Sequence, residues 1–247
     1  MKPGPAEPNA STPLERQQML VADPRQQTFW HRVRFELTTS LALRHRSAAL
    51  LDLGAGSGLL GDYVVEHAPT LDYRFEELSP LLDDLLTERF GSTRRSEPTS
   101  AIGADTTVAM LDVLEHIDDD LAALVELRGR MAPDTQLIVT VPALQWAFSG
   151  WDEALGHHRR YSRRSLRQVL ERAGFAVDAV NYLFPELLPL LPIRKIRTAP
   201  RDHVDFPQLG RGANAIGHVV STATTRLRRI WPAGTSVIAI AHRAGTS

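Results

Sequence analysis

Cysteine is absent from the 247-residue chain, which excludes disulfide bonds, thiolate nucleophiles and metal sites built on sulfur. Lysine is nearly absent too, since Lys2 and Lys195 are the only two and arginine supplies the other positive charges. The formal net charge is only -1, so the chain lacks the positive field that nucleic-acid-binding proteins present. The nine histidines do not form the His-Glu-x-x-His pattern of zinc enzymes. We therefore expect no nucleic-acid partner and no metal site.

Long hydrophobic runs are missing as well, and none approaches the roughly 20 residues that cross a bilayer. The longest apolar stretch, from Tyr182 to Ile193, is interrupted by three prolines and a glutamate. The N-terminal segment is polar and proline-rich, without the apolar core of a signal peptide. A cytoplasmic protein without a transmembrane segment is expected.

A single domain is predicted over residues 14–247, because a chain of this length suits one well-buried α/β core better than two. Residues 1–13 cannot bury enough apolar surface to become ordered, so a disordered tail is predicted there. Apolar residues at helical spacing predict an N-terminal helical cap at 14–45. A proline-rich insertion and a helix are predicted at 183–232.

Short apolar runs alternate with helical segments along the middle of the chain. This alternation is typical of a parallel sheet covered by helices on both faces. The predicted fold is therefore α/β, with a Rossmann-like, doubly wound, mostly parallel sheet. The final strand, near 236–241, is predicted to be antiparallel.

Three glycines at alternate positions, Gly54, Gly56 and Gly58, follow the first predicted strand and precede a helix. Glycine accepts positive φ and lets a ligand approach the main chain with no Cβ between them. The N-terminus of the following helix offers unpaired N–H groups, which we expect to be available to a ligand. Leu59 stands where the dinucleotide pattern Gly-x-Gly-x-x-Gly has its third glycine, which disfavours NAD.

An acidic residue about 20 positions further on, at the end of the second strand, would bind the hydroxyl groups of a ribose. Glu77 occupies this place, with Asp72 and Glu76 as competitors. Because side chains alternate along a strand, Glu76 and Glu77 are expected to point to opposite faces.

A further apolar strand, Met110 to Val113, leads into Glu115 and His116. Ligands in this architecture bind at the carboxyl ends of parallel strands. A lone histidine there could also be a satisfied core residue, but its place beside Glu115 favours a functional role for His116.

These three motifs together resemble class I S-adenosylmethionine-dependent methyltransferases. The motifs are Asp52 to Gly58, Glu77 to Pro80, and Leu111 to Ile117, and they occur in this order at similar spacings. The resemblance extends over roughly residues 45–182 and is strongest to the group of ubiquinone-biosynthesis-type small-molecule methyltransferases. It implies methyl transfer from S-adenosylmethionine to an oxygen, carbon or nitrogen atom of a small-molecule acceptor.

The resemblance also implies roles for individual residues. The glycine turn (Gly54, Ala55, Gly56 and Gly58) would lie against the amino-acid end of the cofactor, with Asp52 supporting it. Glu77 would bind the ribose and Leu78 would lie beside the adenine. Asp112, Val113 and Leu114 would line the methionine side, and His116 would face the substrate.

Two departures from the family pattern concern the adenine side. The family usually carries a Gly-Asp pair after its third strand, whose acid contacts the adenine amino group. Here the chain between Phe90 and Thr107 is short and polar, and Asp105 directly precedes the next strand. Glu76 stands where the family often has a small residue. A third strand and an adenine-binding acid are therefore not assigned.

Aromatic and basic residues cluster in two segments that resemble the substrate side of a subset of the family. One is Gly156 to Ser162 with the preceding tryptophans, and the other is Phe29 to Arg34. Candidate substrate residues are Trp30, Arg34, Trp151, His158, Arg159 and Tyr161. His116 and His157 are the candidate catalytic bases, with ordinary pKa values of about 6.5. A solvated basic loop is the alternative interpretation of the segment from Gly156 to Ser162.

Other functions stay open at this point. The same fold could hold a nucleotide-dependent oxidoreductase, or a non-catalytic binding protein that has kept the fold. The apolar insertion that begins at Leu183 could be a lid packed on the core, or it could rest on a membrane to reach a lipid or glycan intermediate. The oligomeric state is not predicted.

Overall fold

A computed structural model of the chain describes residues 12–21, 28–192 and 209–244. The predicted disordered tail, apart from its last two residues, lies outside these ranges. Residues 193–208, which belong to the predicted insertion, lie outside these ranges as well. The boundaries proposed for the domain stay a prediction.

A six-stranded sheet forms the centre of the protein, in the order β2-β1-β3-β4-β6-β5. Neighbouring strands are parallel from β2 to β4, whereas β6 runs antiparallel to both β4 and β5. The prediction of a doubly wound, mostly parallel sheet with an antiparallel final strand is confirmed. The strands are β1 (Ala49–Leu53), β2 (Asp72–Glu76), β3 (Thr106–Leu111), β4 (Gln136–Pro142), β5 (Phe175–Leu183) and β6 (Ser236–Arg243).

Helices cover both faces of the sheet. They are α1 (Pro13–Val21), α2 (Phe29–Arg44), α3 (Leu59–His67), α4 (Pro80–Phe90), α5 (Asp120–Arg130), α6 (Gly150–Ala154), α7 (Arg163–Arg172) and α8 (Arg211–Arg226). Alternate residues of the central strands belong to different apolar clusters, as Val108 packs with α5 and α7 while Ala109 packs with α3 and α4. Because both faces are buried, β1, β3 and β4 are almost continuously apolar.

The N-terminal cap consists of two helices instead of one, separated by residues 22–27, which lie outside the described part of the chain. α2 packs along α8 and against α3, and its buried face includes Val33, Leu37 and Leu41. This packing brings the N-terminal segment over the carboxyl edge of the sheet, because Arg34 reaches the end of β3.

No strand forms between β2 and β3 in the described residues. A short 3₁₀ helix, Ser92–Arg94, follows α4, and one isolated parallel bridge joins Arg95 to Phe75. The sheet therefore ends at β2, where the resembled family places a further strand. The few apolar residues in this segment explain the absence, since a strand there would bury little side-chain surface.

None of the helices in the described ranges is long and apolar enough to cross a membrane. The proline-rich insertion begins after β5 with a 3₁₀ helix, Pro185–Leu190, which packs against the core through Leu187. α8 follows the part of the insertion that is not described.

Candidate active site at the carboxyl ends of the parallel strands

The glycine turn joins β1 to α3, and all three of its glycines have positive φ, from 57° at Gly56 to 80° at Gly58. A side chain at Gly54 would meet Val113, whose methyl group lies 2.8 Å from the ideal Cβ position. Glycine is therefore needed at Gly54 both for backbone conformation and because the end of β3 packs directly against the turn.

Several amides of the glycine turn are already hydrogen-bonded. Gly54 and Ala55 donate to the carbonyl oxygen of Glu76. Gly56 donates to Glu77 Oε2 at 2.8 Å, and Ser57 donates to Gln18 Oε1 at 3.4 Å. The amides of Gly56 and Ser57 are thus satisfied by side-chain acceptors and not by the main chain, so a ligand could replace those acceptors without unfolding the turn.

Glu76 and Glu77 point in different directions. Glu76 is buried and forms a bidentate ion pair with Arg130 of α5, at 2.9 and 2.7 Å. Glu77 turns to the glycine turn, and its Oε1 also accepts from the amides of Leu78 and Ser79. Asp72 is exposed at the other end of β2 and pairs with Arg74. Of the three side-chain carboxylates, only that of Glu77 lies at the turn.

Asp52 is buried in β1, where Tyr73 of β2 donates a hydrogen bond to its carboxylate at 3.1 Å. Burial raises the pKa of Asp52 to about 7, and the nearby charge of Glu77 adds to the rise. Leu78, in contrast, projects into solvent beside the turn with 83% of its surface exposed.

β3 ends at a strained residue, Asp112, whose φ is 56°. The carboxylate of Asp112 forms an ion pair with Arg34 of α2 and accepts a hydrogen bond from Thr140 of β4 at 3.1 Å. Two residues from the predicted cofactor and substrate sides therefore bind each other.

Glu115 follows in a short 3₁₀ helix and is fully buried. Neither of its carboxylate oxygens has a hydrogen-bond partner in another described residue. Burial raises the pKa of Glu115 to about 8, although the charges of Arg34 and Arg160 oppose the rise. An uncompensated buried carboxylate is unfavourable unless a proton or a cation accompanies it.

His116 and His157 lie edge to face, with ring centroids 4.6 Å apart. Burial, with the neighbouring His157, lowers the pKa of His116 from the ordinary value of 6.5 to about 4. The His116 ring donates to backbone carbonyl groups of Leu155 and Gly156, which opposes this fall in its pKa. The two candidate catalytic bases are thus brought together from separate loops.

Asp152 and Arg160 fix the loop that carries His157. Arg160 donates to both carboxylate oxygens of Asp152, at 2.8 and 3.0 Å, and His157 Nδ1 lies 3.0 Å from Oδ1. Burial alone would raise the pKa of Asp152, but the hydrogen bonds from His157 and Arg160 hold it well below its usual range. Neither residue was predicted from the sequence to be functional, although Arg160 lies inside the segment from Gly156 to Ser162.

The other predicted substrate residues lie around this centre in different settings. Arg159 binds Asp118 and Asp120 at the start of α5. Tyr161 is buried and donates to Asp120 at 2.7 Å. His158 is exposed, Trp151 is half-buried, and Trp30 packs edge to face on Phe29 with centroids 5.1 Å apart. Of the six candidates, Arg34 is the one whose charge acts on Glu115.

Asp105 lies at the opposite edge of the sheet, because its carbonyl oxygen accepts hydrogen bonds from Ala48 and Ala49 at the start of β1. It is therefore remote from the glycine turn and is not the adenine-binding acid that the resembled family carries. Its position agrees with the sequence analysis, which did not assign it that role.

A family described as methyltransferase domain matches residues 26–180 of this chain. Among solved structures, one similar chain comes from the complex between the Haloferax volcanii Trm112 methyltransferase activator and the putative methyltransferase. Its TM-score is 0.59 at 13% identity, over 96% of this chain and all of that chain. No curated protein matches.

Two further solved structures share the fold. The [4+2]-cyclase SpnF has a TM-score of 0.55 at 14% identity, over 95% of this chain and 94% of its own. A putative sarcosine dimethylglycine methyltransferase from Galdieria sulphuraria has a TM-score of 0.54 at 14% identity, over 85% of each chain. At such identities these similarities concern the fold alone, and a cyclase stands beside methyltransferases among them.

Proposed function

The chain belongs to the methyltransferase-domain family and uses S-adenosylmethionine as its methyl donor, and we propose that the glycine turn and Glu77 form the cofactor site. The observation that carries this proposal is the hydrogen bond between the Gly56 amide and Glu77, which joins a turn of positive φ to the acid of the neighbouring strand. In the complex, ribose hydroxyls would replace the amide as the partners of Glu77.

The other assigned residues surround that site in the proposal. Leu78, exposed beside the turn, would cover the adenine. Asp112, Val113 and Leu114 would line the methionine end, since Val113 already touches Gly54. Asp52 would support the turn from β1. The ubiquinone-type subgroup stays a prediction.

Methyl transfer asks little of the protein beyond alignment, because the sulfonium is already activated. The enzyme must hold the donor methyl and the acceptor atom in line and exclude water. Arg34 is held by Asp112 at the end of β3, so α2 is fixed over the site. His116 and His157 would orient the acceptor or accept its proton, with Trp30, Trp151, His158, Arg159 and Tyr161 shaping the acceptor side.

We predict that Gly56→Ala weakens S-adenosylhomocysteine binding at least about 10-fold, or about 1.4 kcal/mol. The added methyl group would stand on the side of the turn that Gln18 now contacts. Calorimetry with S-adenosylhomocysteine measures the loss, and NAD is expected to give no heat of binding with the wild type.

Gly91→Ala is the matched control for this test. Gly91 has φ of 88°, and nothing closer than 3.9 Å would meet an added Cβ. Both variants put a non-glycine residue at positive φ, and the backbone strain at Gly91 is at least as large as at Gly56, because its ψ of 148° is adopted almost only by glycine. Equal loss of affinity in the two variants, or tight NAD binding, would refute the proposed site.

For the acceptor, we propose a small molecule carried on a lipid at an anionic membrane surface. Support comes from the outer face of α8 and the turn after it, where apolar side chains are exposed at helical spacing. These residues are Ile216, Val219, Val220, Leu227 and Ile230. The opposite face of α8 contacts the rest of the protein, since His218 pairs with Glu36 and Thr224 donates to Glu186, at 2.9 Å each.

Charge favours an anionic lipid surface as the occupant of this apolar face. Arg211, Arg226 and Arg229 are exposed along the same segment, and residues 209–230 contain no acid. Basic residues flanking an apolar helical face are typical of helices that lie in the membrane interface. Each arginine near an anionic surface contributes about 1 kcal/mol of attraction.

Vesicle sedimentation tests this surface. The wild type is expected to bind phosphatidylcholine vesicles that contain phosphatidylglycerol, and to bind pure phosphatidylcholine much more weakly. The double variant Ile216→Asp with Val219→Asp should lose at least about 10-fold in affinity. Val125→Asp, at an exposed apolar position of α5, is the control. Binding that ignores lipid charge, or that survives the double variant, would contradict the proposal.

A further inference from the structure

Glu115 differs from the neighbouring acids Asp112 and Asp152 in that it forms no direct ion pair with an arginine. Arg34 is paired with Asp112, and Arg160 is paired with Asp152. Glu115, fully buried between these pairs, has neither a salt bridge nor a hydrogen-bond partner in another described residue. A buried carboxylate in this position favours the binding of a positive charge.

Two imidazole rings face this carboxylate. One ligand atom each from Glu115, His116 and His157 can be chosen so that all three lie within 4.8 Å of one another. The donor atoms on a tetrahedral zinc ion lie about 3.4 Å apart, given Zn–N distances of about 2.1 Å. Small side-chain adjustments would therefore bring the three donors onto one ion.

Both histidines are already oriented by groups behind them. His157 Nδ1 lies 3.0 Å from Asp152 Oδ1, which leaves Nε2 as the free nitrogen. The His116 ring donates to backbone carbonyl groups of Leu155 and Gly156. Histidines that bind metals almost always use their second nitrogen in this way, because such a contact fixes the ring and makes the free nitrogen a better ligand.

We propose that Glu115, His116 and His157 bind a divalent transition-metal cation, with Zn²⁺ as the best fit. Two imidazoles and one carboxylate are a common donor set for catalytic zinc and for other first-row metals. Three protein ligands leave at least one coordination position open. No metal site was expected from the sequence, because these ligands come from two separate segments, the loop after β3 and the loop after α6.

The ion would act on the acceptor, and this step rests on the proposed methyl transfer. An acceptor hydroxyl bound at the open position loses its proton to solvent more readily than a free hydroxyl. The resulting oxygen then forms a bond to the donor methyl carbon as the carbon–sulfur bond breaks, leaving S-adenosylhomocysteine. In this arrangement the metal-bound oxygen is the nucleophile. The two histidines bind the ion and do not act as bases.

Metal titration of the purified full-length chain, stripped with a chelator and free of cofactor, tests the site. Calorimetry with Zn²⁺ is expected to give one ion per chain, and Co²⁺ should give the visible absorption of a low-coordinate site with nitrogen ligands. Glu115→Gln and His157→Asn each remove one proposed ligand and should weaken Zn²⁺ binding at least about 30-fold. Loss of a residue that only holds a metal ligand already costs about 10- to 100-fold in affinity.

Two comparisons keep the test decisive. Glu115→Gln replaces a buried acid by a neutral side chain of the same shape, so in chelator it should melt no lower than the wild type. His158→Asn, an exposed histidine next to the site, should leave Zn²⁺ affinity unchanged. No binding by the wild type, or equal binding by Glu115→Gln, would overturn the metal site while leaving the outcome for Gly56→Ala untouched.

Discussion

Asp152→Ala is expected to lower the free energy of unfolding by about 3–5 kcal/mol, the usual cost of leaving one partner of a buried ion pair uncompensated. Asp152 is completely buried, and only 3% of the Arg160 side chain is exposed. Besides Arg160 and His157, the carboxylate accepts hydrogen bonds from the amide and hydroxyl of Ser149. Removing it therefore leaves several buried donors without an acceptor.

Urea denaturation in the presence of a chelator measures this loss without any contribution from a bound metal. Glu153→Ala changes the neighbouring exposed acid and should shift stability by no more than about 0.5 kcal/mol. The double variant Asp152→Leu with Arg160→Met should be less destabilised than Asp152→Ala, because it leaves no unpaired charge. A cost under about 1 kcal/mol for Asp152→Ala would contradict the role of the ion pair.

The fold was predictable because its signals are local. The apolar runs that become β1, β3 and β4 are buried on both faces, so each strand is visible in the sequence without knowing its neighbours. The glycine turn is equally local, since positive φ at three positions demands glycine. Glu77 was predicted from its spacing after the glycine turn, and strand alternation separated it from Glu76.

The missing strand shows where local signals end. The resembled family places a strand between β2 and β3, but here one bridge at Arg95 is all that remains in the described residues. The polar composition of this segment indicated the absence, yet it did not show that the sheet would stop at β2. Sheet edges are set by which strands find a partner, and that is a property of the whole fold.

The centre of the site was predicted only in part, because it is assembled from distant segments. Arg34 and Asp112 were each assigned to a ligand, but the structure pairs them with each other. His116 and His157 were both singled out, yet their contact depends on the loop that Asp152 and Arg160 hold in place. The Arg34–Asp112 ion pair joins residues 78 positions apart. Such a contact leaves no periodic pattern in a sequence, so pattern reasoning cannot find it.

Glu77→Ala is expected to weaken S-adenosylhomocysteine binding about 30-fold or more. Hydrogen bonds from ribose hydroxyls to a carboxylate are worth about 1.5–3 kcal/mol each, and the variant would lose both. Glu77→Gln keeps the shape but not the charge, so its loss should be smaller. Asp72→Ala, which removes the exposed acid at the far end of β2, should bind the ligand as the wild type does.

Gln18→Ala should act in the opposite direction from Glu77→Ala. The Gln18 carboxamide lies against Gly56 and accepts from the Ser57 amide, so it competes with any ligand for that part of the turn. Its removal should leave affinity unchanged or raise it a few-fold, whereas a true ligand-binding side chain would lower affinity when removed. Calorimetry on the two variants therefore separates a side chain that binds the cofactor from one that only fills its place. Weaker binding in Gln18→Ala, together with normal binding in Glu77→Ala, would reverse the two assignments.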